Sequence, residues 1–447
     1  MKRRNFLKNT VAGSIALTGM GSIMGAAAPF IIPSRIWSNP PGNRITMGFI
    51  GMGKQSYHLV SKFLPVTQLL AVCDVDTTRR KHAQQTVDKY YTDNKDKGTA
   101  GCKEYKDYRE LLDRRDIDAV CIATPDHWHA TNILLALENK KDVYCEKPLT
   151  HSIQEAIDVI RAVDKHQRVL QTGSQQRSSI EFRIASELIR NGCIGKISHV
   201  ECSFSGPPVP CDLPEESMEP GLDWNMWLGP APLRPYNSIL SPRGIHDHYP
   251  NWRSYIEYGT GGVGDWGAHH LDIAQWGLGM DYSGPVEIMF TGADGTLVFA
   301  NGIKVFHKRS GFGVHFFGSD GEVMVNRGRF KVIFKGKTIA EYLGKETEGT
   351  TLAAEVTRAE EMLLKNASIR LYVSTSHTDD FLDCVLSRKK PVSGEQAGGR
   401  TAICCHLLNQ LYFNNTPMKW DPAQFRFTGG TGNPSWLARE TRDWRKA

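Results

Sequence analysis

After residue 28 the sequence lacks any apolar run long enough to cross a bilayer, and it also lacks CxxC pairs, internal repeats and low-complexity tracts. These absences exclude a polytopic membrane protein, a CxxC-based zinc or redox centre and a repeat architecture. An excess of charge of one sign is missing too, because four of the six net positive charges come from Lys2, Arg3, Arg4 and Lys8. The rest of the chain has no electrostatic footprint for nucleic acid or an anionic membrane. We therefore expect a small, neutral molecule as the partner, with no nucleic acid and no stable membrane insertion.

Residues 1–41 are expected to be an export signal and a linker. Arg3 and Arg4 precede an apolar stretch over residues 11–24, which is followed by three alanines and a proline-rich segment. This arrangement resembles a twin-arginine export signal, which implies a periplasmic location. An uncleaved membrane anchor is the alternative, although the apolar stretch is short and interrupted by glycine and serine.

The remaining sequence is long enough for two domains, which we place at residues 42–170 and 171–447. In the first, apolar strands alternate with helices, a pattern typical of a doubly wound parallel sheet. In the second, short strands separated by turns follow residue 285 and predict an α/β domain with an open, mostly antiparallel sheet. Helices over residues 378–386 and 400–412 are expected to return to the domain interface. The open sheet leaves a face for association, so a homo-oligomer is expected.

The first domain begins with the signature of a dinucleotide site. A strand over residues 45–50 leads into a turn with Gly51 and Gly53, a helix from Lys54, and a second strand that ends at Asp74. The glycines allow backbone amides at the helix N-terminus to approach a pyrophosphate, so Gly51, Gly53 and Lys54 are predicted cofactor contacts. Asp74 lies where a carboxylate accepts hydrogen bonds from the adenosine ribose. The pattern predicts a Rossmann-type domain that binds a dinucleotide.

The charge of Asp74 favours NAD over NADP, because a carboxylate repels the 2′-phosphate of NADP. Arg79 and Arg80 follow this strand closely and leave NADP open, since basic side chains there can receive that phosphate. We predict NAD as the cofactor.

Two short motifs follow later strands of the parallel sheet, at the edge where ligands bind. One reads ATPDHWH and holds Thr124, Pro125 and His129, and the other reads EKP and holds Glu146 and Lys147. A dinucleotide fingerprint followed by these two motifs resembles the Gfo/Idh/MocA oxidoreductase family. The resemblance implies that Thr124, Pro125 and His129 border the nicotinamide. It also implies that Glu146 and Lys147 contact the nicotinamide ribose and the substrate. Proline after Lys147 stiffens the strand exit and would hold this lysine in the cleft.

The second domain holds a motif with proton-transfer chemistry. Asp265, His269 and Asp272 are spaced i, i+4 and i+7, so they share one face of a helix that starts near Gly264. An imidazole beside a carboxylate is a common general base, and oxidation of an alcohol requires one. The family resemblance implies that His269 is the acid or base, that Asp265 orients it and binds substrate, and that Lys147 polarises the hydroxyl.

A divalent metal is the chemical alternative for this motif, because His270 and the aspartates add further possible ligands. Neighbouring residues on a helix point about 100° apart, so His269 and His270 do not easily bind one ion. We predict no metal site.

Four further residues are candidate substrate contacts, because their side chains could bind the hydroxyls of a sugar or stack on its ring faces. These candidates are Gln175, Arg177, Trp252 and Arg253.

Three functions remain open for the chain. The first is an NAD-dependent sugar or glycoside dehydrogenase that holds its cofactor tightly and acts on a secondary hydroxyl such as the 3-hydroxyl. The second is a redox-assisted glycosidase or epimerase that regenerates its cofactor in each cycle; the tyrosine-rich loop of the family's N-acetylgalactosaminidases is not found in this sequence. The third is a sugar-binding relative without activity, which would require loss of Lys147 or His269, and both are present.

Overall fold

Six strands form the first sheet of the computed structural model, which describes residues 44–345 and 350–444. They are β1 Thr46–Ile50, β2 Gln68–Cys73, β3 Lys103–Tyr105, β4 Ala119–Ile122, β5 Asp142–Cys145 and β6 Leu170–Thr172. Their order is β3-β2-β1-β4-β5-β6, and every neighbouring pair is parallel. Strands β1, β4 and β5 are buried along their whole length, as expected for a parallel sheet covered on both faces.

Five helices accompany this sheet and set the geometry at its carboxyl edge. They are α1 Lys54–Phe63, α2 Thr77–Asp93, α3 Tyr108–Leu112, α4 Asp126–Glu138 and α5 Ile153–His166. Side chains cap three of them: Asp76 accepts from two amides of α2, and Asp107 and Ser152 each accept from one amide, of α3 and α5. Helix α1 begins after Gly53 without a side-chain cap, so its first amides remain available to a ligand.

The second sheet has ten strands and is mostly antiparallel. They are β7 Ile197–Ser203, β8 Pro285–Thr291, β9 Asp294–Phe299, β10 Lys304–Lys308, β11 Val314–Gly318, β12 Gly321–Asn326, β13 Arg329–Phe334, β14 Lys337–Tyr342, β15 Met418–Asp421 and β16 Arg426–Thr428. Strands β7 and β10 pair in parallel, whereas the other neighbours in the order β14-β13-β12-β11-β7-β10-β9-β8-β15-β16 are antiparallel. The two sheets confirm the predicted fold class.

Helices of the second half cover one face of this sheet and reach back to the first. They are α6 Ile180–Arg190, α7 Trp224–Leu228, α8 Gly261–Asp265, α9 Gly267–Leu278, α10 Leu352–Leu363, α11 His377–Ser387 and α12 Glu395–Asn414, with short 3-10 helices at Gln175–Ser178, Asn251–Ser254 and Pro434–Leu437. Helices α6, α9, α10 and α12 pack on the sheet, and α12 also packs against α5. Arg388, at the end of α11, pairs with Asp142 of β5. The second half therefore packs against the first along α5 and at the amino end of β5.

Within residues 44–345 and 350–444 there is no helix with the length and apolarity needed to cross a membrane. The predicted export signal and linker, residues 1–41, lie outside the described residues.

Candidate active site

A cleft between the two halves lies at the carboxyl edge of the parallel sheet. Its lining comes from the glycine turn and both strand-end motifs on one side, and from the segment after residue 240 and the turn between β12 and β13 on the other. Lys147 and His269 both line it, although they are far apart in the sequence. The structure therefore brings these two residues together in one cleft.

The glycine turn has the backbone geometry that a dinucleotide needs. Gly51 has φ of +86° and donates its amide to the carbonyl of Cys73 at 2.8 Å. A Cβ on Gly51 would lie 2.9 Å from backbone atoms of Ala123 and Thr124, whereas a Cβ on Gly53 would meet no atom within 4 Å. The first glycine permits the turn, and the second leaves open space at the uncapped start of α1. This open cradle fits a pyrophosphate.

Asp74 lies at the end of β2, where the ribose of a dinucleotide is expected. Its two carboxylate oxygens accept from the amides of Met52 and Asp76, at 2.7 and 2.8 Å. Burial raises the pKa of Asp74. Each oxygen has a second lone pair, so these bonds still allow it to accept from a ribose hydroxyl.

The two arginines that left NADP open are both engaged elsewhere. Arg79 is buried and donates to the carbonyl of Gly244 at 3.3 Å. The Nε atom of Arg80 lies 2.8 Å from the carboxylate of Glu104. Neither guanidinium is free to receive a 2′-phosphate, so the site fits NAD better than NADP.

Residues 241–250, which we call the covering segment, lie across the cleft from the glycine turn and contact the start of α1. Lys54 forms an ion pair with Asp247. The hydroxyl of Tyr249 donates to the side-chain oxygen of Gln55 at 3.0 Å. Lys54, predicted as a cofactor contact, thus lines the cleft while its ammonium also holds the covering segment.

His129 joins the two strand-end motifs. Its Nδ1 lies 2.7 Å from the carbonyl oxygen of Pro148, and its Nε2 lies 2.9 Å from that of Thr124. Burial lowers the pKa of His129 to about 4, so the ring is neutral at physiological pH. Thr124 and Pro125 line the cleft as predicted, and His129 fixes the backbone behind them.

The lowered pKa of His129 predicts a pH-dependent contribution to stability. Between about pH 6.5 and 4 the unfolded chain takes up a proton that the folded protein excludes, so stability falls as the pH drops; 2.5 pH units correspond to about 3 kcal/mol. His129→Gln should be less stable than the parent at pH 7, but this difference should shrink toward pH 4. Urea unfolding over this pH range measures it, with exposed His58→Gln as the control. A difference that stays constant with pH would contradict the assignment.

Glu146 is buried at the end of β5 and is held by two amides. Its Oε1 accepts from Gln55 at 3.0 Å and from Gln175 at 2.9 Å. Burial raises the pKa of this carboxyl. Gln175, a predicted substrate contact, lines the cleft, and its amide nitrogen donates to Glu146.

Lys147 and Asp265 form an ion pair in the cleft. The ammonium donates to the Asp265 carboxylate and, at 2.9 Å, to its backbone carbonyl. Burial opposes ionisation of Asp265, but the charge and hydrogen bond of Lys147, together with the charges of Arg253 and Arg327, lower the pKa of the carboxyl. The pair keeps a cation fixed at the strand exit.

His269 is buried beside this pair and is held by an arginine rather than by a carboxylate. Its Nε2 accepts from Nη2 of Arg327 at 2.9 Å, and its Nδ1 has no hydrogen-bond partner among the described residues. Burial, then the charges of Lys147 and Arg327, lower the pKa of His269 well below its usual range. The imidazole is therefore neutral, with its proton on Nδ1 and its Nε2 lone pair facing the arginine.

The structure corrects the expected arrangement of the DxxxHxxD motif. The predicted single helix is interrupted, because α8 ends at Asp265 and α9 begins at Gly267. Asp265 is bound by Lys147 instead of orienting His269, and Asp272 is bound by Arg177. The spacing correctly predicted that Asp265 and His269 lie in the same region, but both aspartates form ion pairs with cations from other elements instead of contacting the histidine.

Arg177 is not a substrate contact, so that prediction is wrong. Its side chain is 2% exposed and lies outside the cleft lining. The guanidinium donates to both carboxylate oxygens of Asp272, at 2.8 to 3.0 Å, and to Asp281 at 2.7 and 3.0 Å. Arg177 therefore joins the start of the second half to α9.

His270 does not contribute to a metal site with His269. It is buried, and its Nδ1 lies 2.8 Å from the carbonyl oxygen of Ser203. In the described parts of the chain, no three or more His, Cys, Asp or Glu residues are arranged to hold a metal ion.

Trp252 and Arg253 line the cleft as predicted, and sequence reasoning missed two neighbours. Arg253 lies with its guanidinium carbon 4.2 Å from the ring centroid of Trp252. Trp266, between α8 and α9, lines the cleft with 43% of its surface exposed. Arg327, on the turn after β12, covers the ring of Trp266 at 5.0 Å. Trp266 lies inside the motif and could have been found, whereas only the fold of the second sheet brings Arg327 here.

Asp126 is a third site residue that the sequence analysis did not single out. It is buried in the cleft wall and accepts from the hydroxyl of Thr260 at 3.0 Å. Burial raises the pKa of Asp126 to about 7. Its position inside the ATPDHWH motif was an available clue.

Two family models match this sequence. The Gfo/Idh/MocA model, described as an oxidoreductase family with an NAD-binding Rossmann fold, matches residues 45–174. A model of the C-terminal alpha/beta domain of the oxidoreductase family matches residues 209–308, so together they cover just over half of the chain. The first match contains the glycine turn and both strand-end motifs, and the second contains Asp265 and His269. NAD is confirmed as the cofactor.

Curated relatives match over part of their length. A glycosyl hydrolase family 109 protein from Shewanella baltica is 27% identical over 211 residues, which cover 45% of each chain. The uncharacterized oxidoreductase YrbE from Bacillus subtilis is 32% identical over 171 residues, which cover 37% of this chain and 46% of that one. The chain thus spans just under half the length of these relatives.

Solved structures share the fold over a longer stretch. Levoglucosan dehydrogenase, in complex with NADH and levoglucosan, has a TM-score of 0.54 at 17% identity and covers 84% of this chain and 99% of its own. An aldose-aldose oxidoreductase from Caulobacter crescentus, complexed with glycerol, has a TM-score of 0.54 at 16% identity, with the same coverage of 84% and 99%. At this identity the likeness establishes the fold alone.

Proposed function

Because this chain belongs to the Gfo/Idh/MocA oxidoreductase family, we propose that it transfers a hydride between a tightly held NAD and a secondary hydroxyl of a sugar or glycoside, such as the 3-hydroxyl. The observation that carries the proposal is the shared cleft of the dinucleotide cradle, the Lys147–Asp265 pair and the neutral imidazole of His269. The names of the sugar-acting structural relatives agree with it.

In this proposal the residues of the cleft divide the chemistry between them. The Lys147 ammonium donates to the hydroxyl oxygen and stabilises it as it becomes a carbonyl, and Asp265 holds that ammonium in place. The hydroxyl proton passes to Nε2 of His269 after Arg327, which donates to that atom in the structure, has released it. Bound NAD supplies the hydride acceptor. Gly51, Gly53, Asp74 and the wall formed by Thr124 and Pro125 would hold it.

A panel of glycosides offered to the purified holoprotein tests this function. A keto-sugar formed together with NADH or a reduced dye supports the dehydrogenase. Release of the aglycone without net redox would instead support the redox-assisted glycosidase, the candidate favoured by the family 109 relatives. Saturable sugar binding without either product would leave a binding protein.

Retention of the cofactor is supported by the covering segment, which contacts α1 through Asp247 and Tyr249. Denaturation should release about one NAD(H) per chain. The double variant Asp247→Ala/Tyr249→Phe loses an exposed ion pair and a hydrogen bond that hold the covering segment to α1, so NAD(H) should dissociate several times faster.

Rapid dilution into an NAD-scavenging coupled assay measures this rate. The matched control, Asp212→Ala/Tyr282→Phe, removes an exposed aspartate and an exposed tyrosine hydroxyl elsewhere in the second half. Equal NAD(H) release rates for both variants would show that the covering segment does not retain the cofactor.

We also propose that the chain is a homo-oligomer and that it works in the periplasm. The uncovered face of the second sheet presents half-buried aromatic rings, including His199 and Phe317 stacked at 4.2 Å. Sedimentation of the purified chain and of Phe317→Glu tests the first point. Cell fractionation of the parent and of Arg3→Lys/Arg4→Lys tests the second.

A further inference from the structure

Two arginines at the substrate end of the cleft have no acidic partner. Arg253 donates to the carbonyl of Pro250 at 3.1 Å, and Arg327 donates to His269, but no described carboxylate forms an ion pair with either guanidinium. Each guanidinium has five N–H donors, of which these bonds use only one. Most donors of both side chains therefore remain available in the cleft.

The carboxylates around these arginines are already engaged. Asp265 is paired with Lys147, Glu146 is held by two glutamine amides, and Asp126 accepts from Thr260. Glu146 and Asp126 offset part of the charge of Arg253 and Arg327, but neither carboxylate forms an ion pair with either guanidinium, so both arginines keep donors that face the cleft. Oxidised nicotinamide adds one more positive charge close by, and like charges at short range in a cleft repel each other.

From this arrangement we propose that the substrate sugar carries an oxyanion, either the carboxylate of a uronic acid or a sulfate ester, which Arg253 and Arg327 bind beside the exposed ring of Trp266. The inference rests on the proposed function and names its substrate class. It differs from the neutral partner expected from the net charge of the chain, because the ligand contacts the charges inside the cleft rather than the sum over the chain.

The three side chains are suited to such a sugar. A planar guanidinium binds a carboxylate through two parallel hydrogen bonds, which a neutral hydroxyl cannot accept in the same way. The apolar face of a pyranose can stack on the indole of Trp266 while its acidic group reaches the arginines. An anion would also offset the charge of the oxidised nicotinamide.

Matched sugar pairs test the proposal with the purified holoprotein. Methyl glucuronide is compared with methyl glucoside, methyl galacturonide with methyl galactoside, and glucose 6-sulfate with glucose, through kcat/KM for dye reduction. We expect the acidic member of at least one pair to be favoured tenfold or more. The pair that shows the preference tells whether the oxyanion is a carboxylate or a sulfate.

Arginine variants show whether the two guanidiniums cause this preference. Arg253→Gln and Arg327→Gln should each lower the acidic-to-neutral ratio by about 10 to 100 times. Arg329→Gln, at the start of β13 with its guanidinium over the ring of Phe312, should leave the ratio unchanged. Equal rates for acidic and neutral members in the parent, or an unchanged ratio in both cleft variants, would overturn the proposal.

Calorimetric binding to the holoprotein separates this inference from the proposed function. Tighter binding of the acidic member, lost in both cleft variants, would support the oxyanion site even if no sugar were oxidised. Oxidation of neutral sugars with equal affinity for both members would support the dehydrogenase and end the oxyanion proposal.

Discussion

Replacing Lys147 with methionine should lower kcat/KM for sugar oxidation by about two to four orders of magnitude. Methionine keeps most of the length of the side chain but removes the ammonium that would polarise the substrate hydroxyl. It also leaves Asp265 without its cation, so a negative charge would face the oxygen that must lose a proton. Steady-state kinetics with the sugar identified by the panel measures the loss, and the NAD content of each preparation is measured in parallel.

Lys106→Met is the matched control for this experiment. Lys106 also lines the cleft, but its side chain is 55% exposed and pairs with Asp223 at 3.0 Å, away from His269. Its loss should change kcat/KM only a few times. Lys147→Arg should not restore activity, because a guanidinium is larger than the ammonium that Asp265 now holds. Full activity of Lys147→Met with NAD bound would show that Lys147 does not polarise the substrate hydroxyl.

The first half of the fold was readable from sequence because its strands are buried on both faces. Such strands appear as short apolar runs, and the predicted strand over residues 45–50 corresponds to β1 at Thr46–Ile50. The cofactor residues follow from the same rule, since parallel strands place their carboxyl ends at one edge. The sequence alone therefore placed Gly51, Asp74 and Lys147 at the same edge of the sheet.

The partners of the charged groups could not be read in the same way. Asp265 and His269 have the spacing of neighbours on one helix, but the ion pair that forms depends on which cation the other half brings nearer. Lys147 reaches Asp265 across 118 positions of sequence, and Arg177 reaches Asp272 across 95. Arg327 lies on a turn with no motif around it, so only the register of β12 and β13 places it over Trp266.

Replacing Arg177 with methionine should lower the free energy of unfolding by about 3 to 5 kcal/mol. The reason is the buried carboxylate of Asp272, which is 0% exposed and would be left without its cation. Burial already raises the pKa of Asp272, so the carboxyl should take up a proton or the surrounding helix should loosen. Urea denaturation followed by circular dichroism measures the loss.

Two further variants separate this buried ion pair from a general effect of mutation. Asp281→Asn removes the outer partner of Arg177, whose side chain is 23% exposed, and should cost much less. Arg177→Met/Asp272→Met removes both buried charges and should recover part of the stability lost in the single variant, since two apolar side chains leave no unpaired charge. Normal stability of Arg177→Met together with a raised KM would show that Arg177 contacts the substrate after all. Because the guanidinium lies outside the cleft lining, we expect the reverse: a less stable protein whose folded fraction keeps its KM.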